Sequence, residues 1–436
     1  MKKIFHKSFE FLHWRLDVKT LQLSLSYQLD EIGVVREVFS FPQFDRNLSP
    51  ERTDAINRVC ELVHLMCGVS YYKAGLAKKI KFKNKLPSPA ICQFIEKTWF
   101  HGLAEMAYEN GISLKNHINL VEKNPDKSND LSPLLAPLKL RDRALVPLGG
   151  GKDSLVTIEE LKQQGKEMSL FMVGNSALIK DVASYIDLPL IQVTRKIDDK
   201  LIQYNNAGAF NGHVPITAIN SCIAVLCALL FDYDSVVFSN ERSADSANTI
   251  NADGDTVNHQ YTKSHEFEKD FCKILATEIS PELKYSSLQR PYSELAILKK
   301  FADYPQYFSI FSSCNRNFHI DGSRNDHGRW CGDCPKCRFV FLGLAAFIKK
   351  QQLLDIFHKN MLNDICQKQG FAELLGIKGF KPFECVGELQ ESQLAFNLIN
   401  NRPEWKNDYI IQYFKDSCPV ITDKQSQDIM QPLYKL

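Results

Sequence analysis

Leu148-Gly149-Gly150-Gly151-Lys152-Asp153-Ser154 is the stretch that decides how this chain folds. The apolar run Ala144-Leu145-Val146 stands before it, and a helical pattern of Leu155, Val156, Ile158 and Leu161 follows. That order is a strand, a glycine turn and a helix start. Three glycines let a ligand approach the backbone without Cβ clashes, and the N–H groups of a helix N-terminus, with the Lys152 ammonium, form a seat for phosphate. The Walker pattern would need glycine at Val146 and Ser or Thr at Asp153; a dinucleotide fingerprint would need glycine at Ser154. Neither fits.

What remains resembles the PP-loop, S-G-G-x-D-S, of ATP pyrophosphatases, enzymes that split ATP into AMP and pyrophosphate while adenylating a substrate oxygen. Gly149 takes the place of the first serine of that pattern, which removes one hydroxyl contact to phosphate. An ordinary glycine-rich turn is the competing reading, and the strand-loop-helix context weighs against it.

A chain of 436 residues has room for two or three domains and a sizeable core. Its 44% hydrophobic and 24% charged content is ordinary for a globular enzyme. A net charge of +2, from 53 basic and 51 acidic residues, gives no broad basic footprint, so no nucleic-acid partner is expected. Glu10, His13, Arg15 and Asp17 interrupt any apolar run after the basic start Lys2-Lys3. The longest apolar windows, Cys222 to Phe231 and Phe339 to Ile348, are roughly half of what a membrane span needs. The expectation is a cytoplasmic protein with no membrane insertion. Thirteen cysteines then read as free thiols and a metal site rather than a disulfide framework.

Alternating segments at Leu21 to Tyr27 and Val34 to Phe39 predict an antiparallel pair, with helical periodicity from Ala55 to Gly68. The proline- and Asn-rich stretch Glu122 to Pro137 reads as a linker, placing an N-terminal α+β domain at residues 1–140. From Arg143 strands and helices alternate, which predicts a doubly wound parallel α/β sheet over 141–350 with ligands at the carboxyl ends of its strands. Residues 351–436 read as a small C-terminal helical segment.

Cys331-x2-Cys334-x2-Cys337 is joined by Cys314. Four thiolates satisfy tetrahedral zinc, and two-residue spacers suit a knuckle whose N–H groups point at sulfur. Iron–sulfur ligation is the competing metal reading. The cluster also resembles the four-cysteine zinc site of 7-cyano-7-deazaguanine synthases, themselves PP-loop enzymes. That likeness keeps open a PP-loop ligase or thiolase modifying a nucleobase or tRNA, which the balanced charge opposes.

Several polar groups interrupt apolar surroundings. His213 stands just before the very apolar helix expected from Thr217 to Phe231, where the helix dipole disfavours a cationic ring and leaves a neutral imidazole as base or donor. Glu241 and Arg242 follow the strand Val236 to Phe238; the arginine is a candidate for phosphate or carboxylate, the glutamate for magnesium or that arginine. His259 and Lys263 lie after the turn-rich Ala252 to Asp255, a segment expected to be a mobile closing loop, and are candidates for proton transfer. Cys385 is a minor candidate for an acid–base thiol.

Together, the segments His64 to Lys73, Gly149 to Ser154, Asn211 to Ser221, Ser239 to Ala244, Val257 to Lys263, Ser312 to Ile320, Arg329 to Leu342 and Lys381 to Glu388 resemble the glycopeptidyl-glutamate epimerases of peptidoglycan synthesis. The resemblance implies an ATP- and magnesium-dependent inversion of the terminal L-glutamate of UDP-N-acetylmuramoyl-L-alanyl-L-glutamate, releasing AMP and pyrophosphate. On it, Gly149, Gly150, Gly151, Lys152, Asp153 and Ser154 bind the phosphates, with Asp153 toward magnesium. Arg242 and Arg316 hold substrate carboxylates, while His213, His259, Lys263 and Glu241 compete for the proton-transfer roles. Zinc on Cys314, Cys331, Cys334 and Cys337 is then structural, and the N-terminal domain is assigned to the UDP-sugar.

Overall fold

The structure, a computed structural model, describes residues 5–30, 32–43, 48–84, 86–120, 135–317, 328–379, 384 and 386–434. Its strands are β1 (Ser8–Asp17), β2 (Gln22–Leu29), β3 (Gly33–Ser40), β4 (Lys79–Phe82), β5 (Ala144–Pro147), β6 (Met168–Val173), β7 (Leu190–Lys196), β8 (Ser235–Phe238), β9 (Thr249–Ile250), β10 (Thr256–Val257) and β11 (Lys284–Ser287). Nine of them form one sheet in the order β11-β8-β5-β6-β7-β3-β2-β1-β4, and β9 pairs with β10 apart from it. The strands from β11 to β7 are mutually parallel. Those from β7 through β3 and β2 to β1 are antiparallel, and β4 joins β1 in parallel. The α/β class is therefore as expected, in a large, mixed and mostly parallel sheet.

The sheet takes strands from both sides of residue 140. The reason is the open edge of β7, whose unpaired backbone groups need a partner. β3 supplies it, with Val38, Phe39 and Ser40 opposite Lys196, Arg195 and Thr194. The joint is locked by a buried ion pair: Arg195 Nε donates to Glu37 Oε1, and Arg195 Nη2 reaches Ser70 Oγ at 3.1 Å. The linker reading of 122–137 falls mostly on 121–134, outside the described residues.

Side chains of a strand alternate between faces, and here the alternation feeds two cores. Leu145, Phe171, Val236 and Phe238 enter one, shared with β1–β3 and the helices Pro50–Cys67, Pro89–Gly102 and Ile216–Phe231. Ala144, Val146, Leu170 and Val237 enter the other, shared with the helices Lys152–Gln163, Glu294–Phe301 and Pro335–Ala345. Helices thus cover both faces. The described residues beyond 350 are mostly helical, and Phe396, Trp405 and Ile411 pack in the second core.

The chain moves outward from β5 through β6 to β7, then returns to place β8 and β11 on the other side of β5. Ligands of such sheets bind at this reversal, outside the carboxyl ends. β5 pairs with β8 only at Ala144–Ser235 and Leu145–Val236, so the two strands part just where the glycine loop and Ser239–Arg242 emerge. Among the described residues no helix is long and apolar enough to cross a membrane.

Candidate active site

Gly151 caps the helix Lys152–Gln163 with no side-chain acceptor at its N-terminus, so no capping side chain takes the first N–H groups. Gly150 turns with φ +77°, and a Cβ there would stand 2.8 Å from Leu178 Cδ2. A Cβ on Gly151 would stand 2.8 Å from Ser313 Oγ, while the Ser312 N–H donates to Gly150 O at 3.0 Å. Gly150 is thus required by its left-handed backbone, Gly151 is packed against the Ser313 side chain, and Gly149 faces open space. Ser154 Oγ donates to Gly151 O at 3.0 Å and closes the turn.

Lys152 lies among carboxylates beneath the loop. It is 1% exposed, and its ammonium contacts the carboxylates of Asp153 and Glu294. Lys336, from the cysteine knuckle, stands 3.5 Å from the other oxygen of Glu294. Against the desolvation of burial, Lys152 and then Lys336 hold the Glu294 carboxyl down to about 2. The lysine thus neutralises buried charge under the loop.

Glu241 caps the turn Arg242–Asp245, accepting the Ala244 N–H at 3.1 Å. Burial, and then the charges of Glu294, Glu391 and Asp153, push its carboxyl up to about 8. Arg242 turns toward the C-terminal segment: its guanidinium donates to the carbonyls of Asp428, Ile429 and Gln431 at 2.7–3.2 Å. These carbonyls close the helix Asp423–Met430, whose C-terminal oxygens need donors. Arg316 pairs with Asp333 at 3.2 Å on the surface of the cysteine knuckle.

A second cluster brings together three residues from distant parts of the chain: Glu105, His213 and His259. His259 Nδ1 contacts Glu105 Oε2 directly, and His213 Nδ1 lies 3.8 Å from the same oxygen. The rings stand 4.6 Å apart between centroids, tilted by 48°. His213 precedes the helix Ile216–Phe231 as expected and is neutral, but mainly through burial and then the neighbouring His259, which take it down to about 4. The segment expected as a mobile lid is the β9–β10 hairpin, turned by Asn251 Oδ1, which accepts the N–H groups of Asp253 and Asp255 at 3.0 and 2.8 Å. Asn248 Oδ1 fixes the backbone N–H of His259 at 3.0 Å.

Lys263, in the turn Tyr261–Lys263, links the clusters. Its charge bears on both His213 and Glu294. The buried Arg290 holds Lys263 O at 2.6 Å and Glu241 O at 2.8 Å, tying the two loops. Lys73 donates to Asn211 Oδ1 at 2.7 Å, and burial lowers it to about 8. Glu105, Glu294, Arg290, Lys336 and Lys73 were not singled out by the sequence. Each acquires its role from a distant partner, and only Lys73 and Lys336 lay within segments that drew attention.

The four sulfurs of Cys314, Cys331, Cys334 and Cys337 lie within 4.8 Å of one another, three pairs of them at 3.4–3.9 Å. Tetrahedral ligands about 2.3 Å from zinc stand about 3.8 Å apart, so the donors suit one ion. A multi-iron cluster would hold its thiolates farther apart. The N–H groups of Asp333 and Cys337 point to the sulfurs of Cys331 and Cys334 at 3.4 Å. Cys385 and residues 318–327 and 380–383 lie outside the described residues.

Fold and site define an α/β protein with a glycine loop at the sheet's reversal, a carboxylate–histidine cluster and a four-cysteine knuckle. Residues 2–288 match the MurL N-terminal domain and residues 310–429 the MurL C-terminal domain. The chain is 40% identical to the UDP-N-acetyl-alpha-D-muramoyl-L-alanyl-L-glutamate epimerase of Xanthomonas oryzae pv. oryzae, across 98% of this chain and 93% of that one. It is 37% identical to the protein of the same name from Salinispora tropica, over 94% and 89%. A Micromonospora protein of that name is 36% identical over 94% and 91%. The chain belongs to the MurL epimerase family.

Proposed function

We propose that this chain inverts the terminal L-glutamate of UDP-N-acetylmuramoyl-L-alanyl-L-glutamate to D-glutamate, activating it with ATP at a PP-loop. Family membership supports the substrate, and one observation carries the mechanism: the charge of Lys263 bears on both His213 and Glu294, and Arg290 ties the Lys263 turn to the Glu241 loop.

A free α-carboxylate makes its own Cα–H very hard to remove, because the carbanion would form beside a negative charge. In the proposed first step a carboxylate oxygen attacks the α-phosphorus of ATP and pyrophosphate leaves. The backbone N–H groups of Gly149–Gly151 and the helix start receive the phosphates. Asp153, partly exposed beside the loop, is the carboxylate suited to a magnesium ion, which would supply charge neutralisation of the leaving pyrophosphate. The acyl-adenylate then loses its Cα proton to a base and regains one on the opposite face. Hydrolysis releases AMP and the inverted glutamate.

Imidazoles in contact leave no room for an sp3 carbon between them, so His213 and His259 serve one face of Cα. Lys263 is assigned to the other. The knuckle fits a closed four-cysteine zinc, which supplies structure and leaves no open position for chemistry. The UDP-sugar is assigned to residues 1–140 on architecture alone.

The test is incubation of the pure protein with the L,L-dipeptide nucleotide and magnesium, with and without ATP, followed by chiral analysis of the glutamate. D-Glutamate is expected only with ATP. Glutamate that stays L in both, or inverts equally in both, contradicts the proposal.

A further inference from the structure

Glu105 lies on the helix Ala104–Glu109, which the chain presses against the segment before the helix Ile216–Phe231. The fit is built on both sides of Glu105. A Cβ on Gly102 would stand 2.6 Å from Pro215 Cβ, and a Cβ on Gly212 would stand 2.7 Å from Met106 Cγ. Between these two close approaches the Glu105 carboxylate meets His259 Nδ1 directly, with His213 Nδ1 3.8 Å from the same oxygen.

Resting on the epimerase reading, we infer that Glu105 is the positioning residue of proton transfer: it fixes His259 as the Nδ1–H tautomer, so that Nε2 of His259 is the base. A carboxylate behind an imidazole sets which nitrogen carries the proton and stabilises the imidazolium that forms when the other accepts one. The balance is simple: the Cα proton passes to Nε2 of His259, the electron pair stays in the enolised acyl-adenylate, and Glu105 remains ionised. His213 is the neutral ring tilted beside it. The same three groups also have the composition of a metal site. The direct contact of Glu105 with His259 argues for a hydrogen bond, since two ligands of one ion stand farther apart than that.

The experiment joins two measurements. In heavy water with ATP, magnesium and the L,L-dipeptide nucleotide, Glu105→Gln is expected to keep substrate-dependent AMP release within about threefold of the natural protein. Its exchange of the glutamate Cα hydrogen falls by about 100-fold. Glu105→Asp recovers part of that exchange. Exchange that survives in Glu105→Gln, or falls only in step with AMP release, overturns the inference. Nitrogen NMR of the histidine-labelled natural protein is expected to show His259 protonated at Nδ1 and bare at Nε2; an Nε2–H tautomer overturns it, and this reading does not depend on a variant that folds. A second metal ion per chain bound at His259 also overturns it. Absence of both AMP and exchange in the natural protein counts instead against the epimerase reading, and leaves the tautomer to decide on Glu105.

Discussion

Gly102 and Pro215 approach so closely that a Cβ on the glycine would stand 2.6 Å from the Cβ of the proline. This contact sets the distance between the helix carrying Glu105 and the segment carrying His213. Gly102→Ala must push the two apart, and overpacking of this kind costs about 1–3 kcal/mol. We expect lower stability in chemical denaturation and a larger loss of glutamate Cα exchange than of AMP release. Unchanged exchange would mean that the spacing of the cluster does not matter.

Lys152 and Glu294 form a buried ion pair, and removal of the lysine leaves the Glu294 charge to Lys336 alone at 3.5 Å. Lys152→Met is expected to lower unfolding free energy by about 3–5 kcal/mol. Lys152→Met combined with Glu294→Gln should recover much of it, read by denaturant titration as a double-mutant cycle. A Lys152→Met protein as stable as the natural one would place the lysine outside such a pair.

One zinc per chain is expected by metal analysis, held by Cys314, Cys331, Cys334 and Cys337. Cys334→Ser should lose the metal and the melting temperature together, because metal binding and folding are coupled. Activity falls as a consequence, since Ser312 of the knuckle loop holds Gly150 and Lys336 supports Glu294. Substoichiometric metal with an unchanged melting temperature would contradict the site.

His213 has a pKa of about 4 in the folded protein against about 6.5 unfolded. Between these values the unfolded chain binds a proton that the folded one refuses, so stability rises with pH across this window and is lost as pH falls through it. His64, also taken down to about 4 mainly by burial, acts in the same direction. His213→Gln should therefore flatten the stability profile between pH 6.5 and 4 in part, by up to about 3 kcal/mol at the acid end. An unaltered slope would place His213 in water.

The glycine loop was legible in the sequence because its requirements are local: apolar strand, turn without Cβ, helix start. The cysteine knuckle was legible for a similar reason, its spacing being the signature of its geometry. Neither Lys152 nor Arg242 could be placed, because a basic side chain near a loop reads alike whether it faces a ligand or a buried carboxylate and helix carbonyls. The β3–β7 joint was hidden too, since an alternating segment shows that it is a strand but not which edge it will complete. Glu105 had no signal at all, as its partners lie in two other segments and its own helix looks ordinary.

The central claim is that activation by ATP and proton transfer at glutamate occur in one site, and a single reaction in heavy water tests it. The pure protein is given ATP, magnesium and the L,L-dipeptide nucleotide, and AMP, pyrophosphate and deuterium at the glutamate Cα are followed together. The account predicts AMP and pyrophosphate only with the dipeptide present, and deuterium only with ATP present. Deuterium without ATP, or ADP and inorganic phosphate in place of AMP, would contradict it.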